Sequence, residues 1–399
     1  PIMLSYTGIS HRGRCYRDNK ARSEYAHWRL LSKSARPLPA ISIIGIALIL
    51  FALGLYWGQQ QKIGDLDPGA PELRADSRYN LDNAFLTENY STSTDVFVVM
   101  VKTGPQQCGS YQSISAIDYF QGVIERVPGV QSVMSLVDVS KLVIMGMNEG
   151  NPKWHAISSN QYILNNSLSR VPSSLLNTDC SMVPVILFLE DHKAATLDNV
   201  VQAVEEFAKH HNNSDIRFML AAGNAGIEAA TNIVIRKAQY QMLAWVYGVV
   251  IILCLLTFRS FKATACIIIP LMLTSVLGQG LMALLGIGVK VATLPVIALG
   301  VGIGVDYGIY IYSRLETYLR QGLPLQEAYY ETLKTTGKAV TFTGFTLAIG
   351  VATWIFSAIK FQADMGILLT FMFLWNMFGA LWLLPALARF LIRPEKLRS

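Results

Sequence analysis

The stretch Leu294–Leu315, LPVIALGVGIGVDYGIYIYSRL, decides how the rest of the chain is read. From Leu294 to Tyr312 it is apolar and long enough to cross a bilayer, yet it holds one ionisable group, Asp306. The hydrocarbon core is about 30 Å thick and takes about 20 apolar helical residues to span. A carboxylate at that depth costs roughly 3 kcal/mol on insertion scales, so a chain seldom keeps one there without a use. Asp306 is therefore the first functional candidate. Proton relay is one reading of it; a carboxyl that only fixes helix register through a neighbouring hydroxyl is the other. Tyr307 is either a hydrogen-bond partner in such a relay or interhelical packing.

Glycines surround this acid. A dinucleotide-binding reading of Gly300, Gly302 and Gly304 needs a strand, a turn and a soluble helix, and an apolar helix-length run supplies none of these. Gly300, Gly304 and Gly308 instead recur every four residues, which lays three missing side chains along one helix face and lets a neighbouring helix approach closely. Asp306 is two residues, about 200° of rotation, from both Gly304 and Gly308, so two helix contacts are expected, one tight and one polar. Thr341, Thr343 and Thr346 in the next apolar run are the candidate hydroxyl partners, although threonine in membrane helices often bonds its own backbone.

The whole chain has the same character. Its 399 residues are 52% hydrophobic and 15% charged, with a mean hydropathy of +0.36, which removes it from the soluble globular class. Six stretches are apolar enough to span a membrane, near residues 39–57, 239–258, 263–285, 291–312, 339–358 and 365–388. The expected architecture is a membrane α-helical bundle of one plus five helices with an α+β domain of about 180 residues between the first and second. In segments, this is a basic linker (1–38), the first transmembrane helix (39–57), the α+β domain (58–238), five further helices (239–391) and a short tail (392–399).

Charge gives the orientation. Residues 1–38 carry a net +6, residues 58–238 a net −6 and residues 239–399 a net +6. Lys and Arg near the ends of spans collect on the cytoplasmic side. Arg259, Lys262, Arg314, Arg320, Lys334, Lys338 and Arg389 share one side, so both termini are expected in the cytoplasm and residues 58–238 outside it. Basic flanks of spans are topology signals and need no nucleic acid to explain them. The chain opens on Pro1 with no signal-peptide pattern, and its first 38 residues are expected to be a linker within a longer protein.

The outward domain is legible by period. Asp95–Val101, Val130–Met134, Met182–Leu189 and Ile216–Leu220 read as strands, and Ser113–Val127 and Thr196–His211 as helices. The order strand, helix, strand, then strand, helix, strand is the split βαβ, ferredoxin-like arrangement, with residues 135–181 inserted at its middle. In that sheet the first and third strands are antiparallel neighbours, which brings Cys108 and Cys180 to one edge. A disulfide and two unrelated thiols are both open readings. Cys15 falls in the linker, and Cys254 and Cys266 fall within spans. His192, His210 and His211 lack companions at metal-ligand spacing and read as solvated surface residues, so no metal site is expected. There is no Walker-type loop and no Ser/His/Asp constellation, so neither ATP-driven transport nor hydrolysis is expected. After span four, Gly322 and Pro324 break the chain, and Leu325, Ala328, Tyr329, Thr332 and Leu333 form an amphipathic face, on the membrane surface or in a solvated connector.

GVGIGVDYGIYIYSRL (300–315), GLPLQEAYYETLKTTGKAVTFTGFTLAIG (322–350) and IGDLDPGAPELRADSRYN (63–80) together resemble the resistance, nodulation and division (RND) superfamily. Within it the chain looks most like the MMPL-type branch of exporters of hydrophobic or lipid-like substrates, with Patched-like and hopanoid transporters as relatives. The resemblance implies an inner-membrane, multi-pass exporter driven by proton influx, without a cofactor, whose outward domain is a porter domain. It implies that Asp306 and Tyr307 match the family's proton-coupling pair. It also implies a missing N-terminal half, supplied by the same protein or by a second copy, with membrane lipids around it. A lipid- or sterol-sensing receptor, or an accessory membrane subunit without net transport, is the alternative.

Overall fold

The computed structural model describes residues 27–392. Most of the expected linker, with Cys15, and the tail from residue 393 lie outside the described residues. Six helices are long and apolar enough to cross a bilayer, so the chain is a multi-pass membrane protein. Helix α1 (Pro37–Gly58) is the first span. The sheet domain follows, with α2 (Arg78–Asn89), β1 (Val96–Lys102), α3 (Tyr111–Ile124), β2 (Val130–Met134), α4 (Leu136–Met147), α5 (Gln161–Leu168), β3 (Met182–Leu189), α6 (Ala194–His211) and β4 (Arg217–Ala222). Spans two to four are α7 (Asn224–Phe258), α8 (Phe261–Leu285) and α9 (Leu294–Arg320). Helix α10 (Leu325–Thr332) runs through a π-turn into α11 (Lys338–Ala352), the fifth span; α12 (Lys360–Phe378) runs through another into α13 (Leu384–Leu391), the sixth.

The sheet has strand order β2-β3-β1-β4, and every neighbouring pair is antiparallel. The expected β1–β3 pairing holds, with Val99 opposite Val185 and Val101 opposite Val183. Alternation sends Phe97, Val99 and Val101 of β1 and Val183, Val185, Leu187 and Leu189 of β3 to one face, all essentially without exposure. There they meet Ile114, Ile117, Phe120 and Ile124 of α3 and Leu197, Val200, Val204 and Phe207 of α6, each series recurring at helical spacing. Cys108 and Cys180 form a disulfide, with Cα atoms 5.2 Å apart, between the tail of β1 and the lead into β3. Crosslinks closing loops of this size stabilise small domains by about 2–5 kcal/mol. The insert between β2 and β3 is helical. A capping box of Ser135 and Asp138 starts α4, and a buried Ser140–Ser167 hydroxyl pair at 2.6 Å ties α4 to α5.

One element extends beyond its expected span and another is set differently from expectation. The apolar stretch expected near 239–258 is the later part of α7, one unbroken helix from Asn224, 35 residues in all. At 1.5 Å per residue it is about 52 Å long, well over the hydrocarbon thickness. Its first turns carry Glu228, Asn232, Arg236 and Lys237, so they belong to the sheet-domain side of the bilayer. The amphipathic face of α10, in turn, lies neither on a membrane surface nor in solvent. Leu325, Ala328, Tyr329 and Thr332 are buried against the end of the bundle, and the Tyr329 hydroxyl donates to the carbonyl of Leu381 in the sixth span.

Small residues bring the spans together. A Cβ on Gly54 would lie 2.9 Å from Val276, and one on Gly280 would lie 3.2 Å from the Gly54 carbonyl oxygen, so α1 and α8 pack almost backbone to backbone. The sheet-domain end of the bundle is laced to the segment after α1. Gly64 N–H donates to Val289 O at 2.8 Å, and Val289 N–H to Lys62 O at 2.9 Å. Lys290 and Lys360 reach Asp65 and Asp67 of the same segment at 2.6 and 2.7 Å.

Candidate functional site

Helix α9 presents two unlike faces. On the closed face, a Cβ at Gly300 would collide with Met372, one at Gly304 with the Asn376 amide, and one at Gly308 would lie 2.9 Å from Ile267. The three glycines are thus the seat of spans six and three against α9. Asn376, 2% exposed, donates through Nδ2 to the Gly300 carbonyl at 2.7 Å, while its Oδ1 has no partner among the described residues. Tyr307 is buried on the same side, and its hydroxyl is likewise unpartnered.

Asp306 lies on the other face. Pro295, Leu299, Gly302, Asp306, Tyr310, Ser313 and Thr317 recur every three or four residues, and all are exposed. No helix among the described residues covers that stripe, and a Cβ on Gly302 would meet nothing within 4 Å. The expected polar helix contact for Asp306 is therefore not made among the described residues; the tight, glycine-based contact is. The threonines do not supply one either. Thr341 and Thr346 spend their hydroxyls on the backbone carbonyls of Gly337 and Phe342, both at 2.8 Å, and Thr343 is exposed. Among the described residues Asp306 has no hydrogen bond or ion pair.

An uncovered acid on a glycine-packed membrane helix, beside a buried tyrosine, is the pattern to set against known proteins. The model of the MMPL family matches residues 74–397. The chain belongs to the MMPL family. Among similar MMPL-like proteins, the membrane protein MJ1562 of Methanocaldococcus jannaschii is 25% identical over 307 residues, which cover 74% of this chain and 76% of that one. The two are therefore close in length. The sulfolipid-1 exporter MmpL8 of Mycobacterium tuberculosis is 28% identical over 148 residues, 35% of this chain and only 14% of the exporter. The membrane protein YdfJ of Bacillus subtilis is 26% identical over 121 residues, 29% of this chain and 17% of YdfJ.

The histidines of this MMPL chain divide. His210 and His211 are exposed at the end of α6, as expected, with His211 stacked on Phe207 at 4.1 Å between ring centroids. His192 is not a surface residue. It is 5% exposed, with Nδ1 2.9 Å from Asp95 Oδ1. Burial, the largest single influence, pushes its imidazole down; the hydrogen bond and charge of Asp95, with Glu228 and Asp65 adding, outweigh that and hold it up at about 8. Sequence spacing missed this because the three partners come from separate segments. Asn376 was also missed, although an amide within the apolar run FMFLWNMFGALWLL is a legible signal.

Proposed function

We propose that this MMPL chain is one half of a proton-driven exporter of lipid-like molecules, in which Asp306 carries the proton and Tyr307 stands beside it. The observation that carries this reading is the position of Asp306 within a membrane span, on a helix face that the described residues leave uncovered. A carboxyl left facing hydrocarbon costs several kcal/mol, so the stripe around Asp306 has a polar counterpart in the working protein. A second half, either an N-terminal one in the same polypeptide or a second copy, supplies that counterpart. The similar length of the archaeal relative suits a second copy; the longer mycobacterial relative suits a tandem half.

Other observations support the rest of the reading. The strand order β2-β3-β1-β4, with α3 and α6 as the connecting helices, supports a ferredoxin-like porter domain over residues 58–238. The disulfide and the clustering of Lys and Arg at the other end of the spans support an extracytoplasmic position for it and cytoplasmic termini. The name of MmpL8, a sulfolipid-1 exporter, supports a lipid-like substrate. So does an apolar groove of about 420 Å³ between spans one, three and six, lined by Ile46, Leu50, Leu273, Trp375, Phe378 and Trp382.

The test is export by the intact transporter in energised membranes, with and without an uncoupler, for the parent and for Asp306→Asn. Export that collapses in both the uncoupled parent and the variant, with the variant still inserted, is the expected result. Full export by Asp306→Asn sinks the proposal.

A further inference from the structure

Four segments far apart in sequence meet where the sheet domain joins the bundle. Asp65 comes from the segment after α1, His192 from the turn after β3, Glu228 from the first turns of α7 and Lys290 from the loop between α8 and α9. One ligand atom each of Asp65, His192 and Glu228 lies within 4.8 Å of the other two. Backbone bonds place them: Asp65 is held by the Gly64–Val289 pairing on one side and accepts from Ala194 N–H at 3.1 Å on the other. Gly64 sits at φ +87 beneath the Asn232 amide, a conformation that favours glycine.

Two features of this cluster ask for a cation. His192 gives Nδ1 to Asp95, which fixes the ring and leaves Nε2 as its ligand atom, the carboxylate–histidine arrangement typical of metal-ligating imidazoles. Glu228 Oε1 is fully buried and has no hydrogen-bond partner among the described residues.

We propose that Asp65, Glu228 and His192 Nε2 bind one divalent transition-metal cation, with Asp95 as a positioning residue. Mixed imidazole and carboxylate donors suit an ion of the Zn²⁺ class. Such an ion joins the segment after span one, the sheet domain and span two at a single point. The inference is independent of the role given to Asp306.

The test is titration of the purified full chain in nanodiscs with Zn²⁺ alone, by calorimetry, after chelator treatment and dialysis. One Zn²⁺ per chain is expected. His192→Ala and Glu228→Gln should each weaken binding by about tenfold or more, and Asp95→Asn by about tenfold, with a shifted visible spectrum of bound Co²⁺ as the mark of a misoriented ligand. His210→Ala and His211→Ala should change nothing. The assignment is overturned by the absence of saturable binding, by unchanged affinity in Glu228→Gln, or by loss of binding in the His210 or His211 variants. Where His192→Ala does not give a monodisperse protein, the near-isosteric Glu228→Gln decides alone.

Discussion

The two faces of α9 both carry glycine, in opposite circumstances. On one, Gly300, Gly304 and Gly308 are pressed against Met372, Asn376 and Ile267; on the other, Gly302 stands in open space one turn from Asp306. A glycine on the closed face is explained by what this chain packs there. A glycine on the open face is not, and its smallness becomes meaningful only when another helix arrives. The contrast teaches that the described chain packs one side of α9 tightly and leaves the side that bears Asp306 open.

Single substitutions in a detergent-solubilised chain, followed by thermal unfolding, can break or sharpen that contrast. Gly304→Ala has the largest expected effect, because the added methyl collides with a buried amide that is itself bonded to Gly300 O; overpacking of this kind costs about 1–3 kcal/mol. An unchanged melting temperature would mean that the closed face is not closed. Tyr307→Phe removes a buried hydroxyl that has no partner, so stability should hold or rise by about 1 kcal/mol while export by the intact transporter falls. A large loss of stability would reveal a partner for that hydroxyl. Gly302→Ala meets nothing, gains the helical preference of alanine over glycine, about 0.5–1 kcal/mol, and should stabilise the isolated chain slightly. Destabilisation there would show that the open face is already covered. Gly308→Ala brings its methyl to 2.9 Å from Cγ2 of the buried, β-branched Ile267, a milder approach than that at Gly304, so a smaller loss than that of Gly304→Ala is expected. A loss comparable to that of Gly304→Ala would place Ile267 in a rigid seat.

Much of the architecture was legible in the sequence because the bilayer imposes a simple rule on it. Runs of apolar residues marked six spans, and the alternating and continuous runs around Phe97 and Val185 marked β1 and β3 with their pairing. Hydropathy reports depth but not azimuth. It showed that Asp306 sits within a span without showing that the acid points away from this chain's own helices. The start of α7 was hidden for a related reason: Glu228, Asn232, Arg236 and Lys237 lower the hydropathy of a segment whose helix continues unbroken. His192 was opaque because its surroundings are assembled from Asp65, Asp95 and Glu228, none a sequence neighbour. Short-range spacing carries no trace of such a gathering.

The unbroken course of α7 has a mechanical consequence. It leaves β4 at Gly223, whose backbone lies too close to Val96 for any side chain, and continues without a joint through the membrane. A rod of about 52 Å that pivots by about 5° swings its far end by roughly 4–5 Å. Small rocking among the membrane helices is thereby converted into a displacement of the sheet as large as the spacing between neighbouring strands, with no hinge in between to absorb the stroke.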